Sequence, residues 1–105
     1  MPQIPDNKFG LTGELKDFSQ AQYEEFQPLV LKATKESYYS FGDAGGMSAQ
    51  AVVRGATIRA AIKAKILTGI SLEEVGAMKP AAARWLADQI EKHVREVTNP
   101  PPDPS

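Results

Sequence analysis

The sequence predicts an all-α fold, a compact bundle of three main helices plus one short helix, with an extended N-terminal arm. Three observations carry this. The stretch Met47 to Gly69 is alanine-rich and free of proline. Ser19 with Gln22, and Ser71 with Glu74, have the three-residue spacing of helix-starting capping boxes. Leu86, Ile90, Val94 and Val97 recur at the period of an amphipathic helix.

The arm and the mobile N-terminus are predicted to span residues 1–17. Met1 to Asn7 carries two prolines and little to bury. Phe9, Leu11 and Leu15 then alternate with polar or small residues, a strand pattern weakened by Gly10 and Gly13. An extended arm or a small hairpin lying on the helices is the expectation. The helical domain follows over residues 18–97.

Phe18 and Tyr23 flank the first capping box as a hydrophobic staple, and Tyr23, Phe26, Val30 and Ala33 make a core face. Pro28 lies inside this pattern, where it removes a hydrogen bond and crowds the preceding turn. A kink is expected, or two shorter helices meeting near Gln27. The segment closes on Tyr38, Tyr39 and Phe41, followed by the glycine-rich loop Gly42 to Gly46.

The central helix is predicted from a Ser48 cap to about Thr68, with Gly69 supplying the left-handed terminator. Val52, Ala56, Ile62, Ile66 and Leu67 share its broad face, and its alanines with Gly55 allow a neighbouring helix to approach closely. Arg59 and Lys63 project near the centre of that face, so each needs a carboxylate or a route to an edge. Arg54 and Lys65 fall on the opposite side.

The short helix spans roughly Leu72 to Ala77, stapled by Ile70 and Val75. Pro80 suits the first turn of the last helix, which needs no amide donor there. Trp85 borders its stripe, and Asp88–Lys92 and Glu91–Arg95 are spaced for ion pairs on the outer face. Residues 98–105 read as a proline-rich, disordered tail.

Composition excludes more than it assigns. With 105 residues the chain makes one domain with a modest core, and a net charge of −1 argues against bulk attraction to nucleic acid or anionic lipid. There is no cysteine, hence no disulfide or thiolate chemistry. No secretory signal and no run of membrane-spanning length are visible, so a cytoplasmic protein without a membrane partner is expected.

Catalysis is not expected. His93 is the only histidine and has no cysteine or second histidine with which to hold a metal, so it reads as a partly buried or edge imidazole. No G-x-S-x-G pattern accompanies it. Glu24–Glu25 and Glu73–Glu74 are adjacent acids that suit helix starts better than a catalytic pair. The loop before Ser48 leads into a helix N-terminus but lacks the Lys-Ser/Thr of a phosphate-binding loop. No metal and no cofactor are implied.

Binding remains. Ala44 to Leu72 carries four basic residues and no acid, whereas Met1 to Asp43 has four basic and seven acidic, and Glu73 to Ser105 four and six. Either acidic neighbours neutralise the central helix, or Arg54, Arg59, Lys63 and Lys65 form a basic surface for an acidic partner protein or a nucleic acid. Four charges without interleaved aromatics make the nucleic-acid reading the weaker. Tyr38, Tyr39 and Phe41 either cover the open end of the core or anchor an interface. Trp85 offers a contact for self-association.

From Thr57 the layout resembles a known kind of protein. Thr57-Ile-Arg-Ala-Ala-Ile-Lys-Ala-Lys-Ile-Leu-Thr-Gly precedes Ser71-Leu-Glu-Glu-Val, then Met78-Lys-Pro-Ala-Ala-Ala-Arg-Trp-Leu-Ala-Asp-Gln-Ile and a proline-rich end. This is similar to small helical proteins encoded among the tail genes of long-tailed bacteriophages, regarded as tail assembly chaperone-like. The resemblance covers about half the chain and is a pattern of helices rather than a chemical signature. It implies a non-catalytic helper in the bacterial cytoplasm that binds another phage protein, such as the tape measure. It transfers no functional residue. The expected role is therefore non-enzymatic protein binding in tail assembly. The alternatives are an inhibitor or adaptor of a host protein, and nucleic-acid binding through the basic helix.

Overall fold

The structure, a computed structural model, describes residues 4–5, 7–41 and 46–98, with the side chains of 37–41 and 46–49 outside the description. It is mostly helical: β1 (Glu14–Leu15), α1 (Gln20–Phe41), α2 (Gly46–Lys63), β2 (Leu67–Thr68), α3 (Leu72–Ala77) and α4 (Pro80–Thr98). α2 is the hub. α1, α3, α4 and β2 all pack on it, while α1 and α4 hardly touch one another. The hub side is lined by Ile58, Ala60, Ala61 and Ala64, with Leu86, Ala87 and Ile90 of α4 and Phe26 of α1 completing the core.

Both capping boxes form. Gln22 N–H donates to Ser19 Oγ at 3.3 Å and Ser19 N–H to Gln22 Oε1 at 2.9 Å. Ser71 and Glu74 exchange the equivalent bonds. The Phe18 and Tyr23 rings stack with centroids 6.1 Å apart. α1 runs unbroken through Pro28 rather than dividing near Gln27. Glu24 and Pro28 are both exposed, so the carbonyl that Pro28 leaves without a donor lies on the solvent side.

The predicted end of the central helix is corrected. α2 stops at Lys63, five residues before Thr68. Ile66 N–H bonds back to Ala61 O at 2.9 Å and Lys65 N–H to Ile62 O at 3.1 Å. These two bonds are a Schellman terminator, with Lys65 in the left-handed position at φ 63°. Ile66, just beyond it, is fully buried and seals the turn. A lysine there lacks glycine's freedom, so Lys65→Gly is expected to raise stability by about 1 kcal/mol, read as a shift in the urea midpoint. An unchanged midpoint would mean that Lys65 carries no strain.

The released segment turns back as β2 and pairs antiparallel with β1, Glu14 opposite Thr68 and Leu15 opposite Leu67. Lys16 N–H extends the ladder to Ile66 O at 2.8 Å. The arm therefore docks through main-chain bonds. Ile4, in the stretch expected to have little to bury, is buried, and its N–H bonds Gly13 O at 3.2 Å. Asn7 shapes the turn between them: its amide donates to Pro5 O and Leu11 O, and its Oδ1 accepts from the N–H groups of Phe9 and Leu11.

Two long-range bonds follow, one tying α1 to the end of α2 and one holding the arm's far end to α4. Gln22 Nε2 donates to Ala64 O at 2.9 Å, satisfying a carbonyl at the C-terminus of α2. His93 is buried, its ring edge-on to Phe18, and its Nε2–H donates to Lys16 O at 2.8 Å. Gln22 thus caps one helix and closes another. Gln22→Glu keeps the first role but brings a carboxylate to the negative end of α2. It is expected to cost about 1–2 kcal/mol in chemical denaturation. Wild-type stability in that variant would show that the Ala64 bond contributes nothing.

Candidate functional site

Apolar residues lie on every side of α2, so periodicity alone selects no face. Packing selects the side carrying Thr57, Ile58, Ala60, Ala61 and Ala64. The opposite side carries Val52, Arg59 and Lys63, all exposed. This overturns the expectation that Arg59 and Lys63 sit on the buried face and that Val52 belongs to the core. Large aliphatics dominated that reading, whereas the close-packed side is built mainly from alanine. Short side chains let α2 lie near its neighbours and leave no room for a cation.

The four cations are disposed unevenly. Arg59 and Lys63, one turn apart, share the exposed strip. Arg54 is half-buried, its Nη2 3.3 Å from Gln50 Oε1. Lys65 is exposed on the terminating turn. Among the described residues the one ion pair joins Lys16 and Glu14 at 3.4 Å, so none of the four meets a carboxylate there. The pairs expected at Asp88–Lys92 and Glu91–Arg95 are likewise not closed. Each pair lies on a solvated surface, where holding two long side chains together gains little.

Arg59 lies back along its own helix. A Cβ built at Gly55 would meet its Nη1 at 3.2 Å, with no other helix within 4 Å. Gly55 therefore does not admit a neighbouring helix, as its small size suggested; it opens onto a groove. That groove, about 280 Å³, runs between α2 and the α3–α4 junction, floored by Gly55, Val75, Gly76, Met78 and Ala83. Its charged lining residues are Arg54 and Arg59. Sequence reasoning missed it. The available signal was two glycines inside helices, Gly55 and Gly76, where neither has a left-handed backbone to justify it.

A second cleft, about 330 Å³, separates α1 from α4, with Tyr23, Phe26, Val30 and Val94 as its apolar lining and Glu91 and Arg95 at its rim. Thr57 lies at its floor and is internally satisfied, its hydroxyl donating to Val53 O at 2.8 Å.

Trp85 is half-buried and packs its ring 6.1 Å from Phe9, so it holds the arm's turn against α4. The side chains of Tyr38, Tyr39 and Phe41, and the loop 42–45, lie outside the described residues. Among the described residues no three His, Asp or Glu side chains gather as a metal site, and no helix is long and apolar enough to cross a membrane. Comparison with protein-family models, curated proteins and solved structures returned no match.

Proposed function

We propose that this chain is a non-enzymatic protein-binding module that serves as a helper in bacteriophage tail assembly. The observation that carries binding is the exposed basic strip of α2. Arg59 and Lys63 stand in solvent without a carboxylate among the described residues, inside a stretch from Ala44 to Leu72 that has no acid. Unneutralised charge of one sign on a rigid helix steers an oppositely charged partner and fixes its register. The tail-assembly role rests on the resemblance of the layout from Thr57 onward, with its proline-rich end, to tail-gene proteins, whose partner would be a tail component.

The same cations support a second reading, nucleic-acid binding, in which four phosphate contacts would give a salt slope of about −3 to −4. Affinity capture from host lysate, with and without nuclease, separates the two. A protein partner retained after nuclease supports the first reading, and its identification as a tail component supports the tail role. Loss of all captured material on nuclease treatment overturns the protein-binding reading in favour of the second.

A further inference from the structure

We infer that the groove between α2 and the α3–α4 junction receives an apolar side chain of a partner protein's acidic helix, with Arg54 and Arg59 pairing the carboxylates beside it. This rests on the protein-binding reading and names the place and chemistry of the contact.

Charge and shape are complementary to such a partner. The groove's walls and floor are aliphatic or backbone, and its two ionic groups are both guanidinium. Guanidinium matches carboxylate in a bidentate fork, whereas an apolar partner alone would leave both cations to be desolvated without compensation. Arg59 lies over Gly55 beside the groove, exposed, with its guanidinium placed to pair with a carboxylate there. Val52, 47% exposed, lines the groove and adds exposed apolar surface to it. Gly76 lines the groove and is exposed, and a Cβ there would meet nothing within 4 Å. Glycine at that position costs helix stability and has no left-handed φ to explain it. The open position at Gly76 leaves room along the groove for an entering side chain of leucine size. The helix-in-groove mode then needs one anchor and acids a turn to either side.

Three synthetic helical peptides test this on the full chain, each with one central leucine, flanked respectively by glutamates, lysines or glutamines. Amide chemical shifts are followed during titration. The expected result is that the glutamate peptide alone binds and moves Gly55, Val75, Gly76 and Ala83. Arg59→Glu is expected to weaken it at least tenfold. Gly76→Leu is expected to abolish the same shifts while leaving the fold intact, since the position is open and helical. Gly76→Ala, which gains helix propensity, controls for stability.

Shifts centred on Tyr23, Val30 and Val94 instead would overturn the location and place binding in the α1–α4 cleft. Equal response to all three peptides, or none at millimolar concentration, would overturn the chemistry. A single-stranded oligonucleotide that moves the groove amides when the glutamate peptide does not would overturn the partner class. A protein captured from lysate that binds Gly76→Leu and Arg59→Glu undiminished would sink this assignment while leaving the protein-binding reading standing.

Discussion

Gly13→Ala is expected to destabilise the protein by about 2–3 kcal/mol and to lower Tm by roughly 10–20 °C. Two independent costs meet at this position. Its φ of +148° is one that side-chain-bearing residues rarely adopt, and an added Cβ would lie 2.7 Å from the backbone oxygen of Thr68. The oxygen belongs to the β1–β2 ladder and cannot swing aside as a side-chain tip could. Relief requires either a shift of the strand pair or release of the arm, which would expose Ile4 and Leu15. Gly10 is the control, with positive φ of 72° but nothing within 4 Å. Gly10→Ala should cost only about 1 kcal/mol, the conformational part alone. Equal losses in the two variants, measured by thermal unfolding, would show that the close approach at Thr68 contributes nothing.

Pro28→Ala is expected to act in the opposite direction, raising stability by about 2 kcal/mol and Tm by roughly 8–16 °C. Pro28 is exposed and lies well inside α1, so no packed neighbour is lost when the ring is removed. The new N–H can donate to Glu24 O, and the crowding of the preceding turn disappears. Calorimetry on the purified variant reads the gain. A Tm at or below that of the parent would show that α1 has adapted its course to the proline and packs on α2 less well without it.

What the sequence made legible is chemistry confined to four or five neighbouring residues. Ser19–Gln22, Ser71–Glu74, Phe18–Tyr23 and the entry at Pro80 all depend on local spacing, and all are found as read. The end of α2 was not legible because its left-handed residue is Lys65, while Gly69 four residues later offered the expected signature. Gly69 has φ +88° in another setting: a Cβ there would come within 2.9 Å of Gly13 Cα, where the chain flanks the paired end of β1 and β2. The buried side of α2 was misread because alanine is light in any apolar pattern yet decisive in close packing. The groove beside Arg59 escaped notice because it consists of missing atoms, at Gly55 and Gly76, and only the assembled neighbours give that space an outline.

The two long-range side-chain bonds have a consequence for the order in which the chain takes shape. Helices need only near neighbours, but Gln22 reaches Ala64 across 42 positions and His93 reaches Lys16 across 77. Contacts of that separation return energy only after a long loop has been closed, so they form late. During synthesis residues 4–16 emerge before β2 and His93 and cannot yet pair with them. They must stay uncommitted until β2, and then His93, have left the ribosome. A segment made before its partners is therefore placed only after them, and its two glycines and single asparagine turn keep it free of competing helix in the meantime.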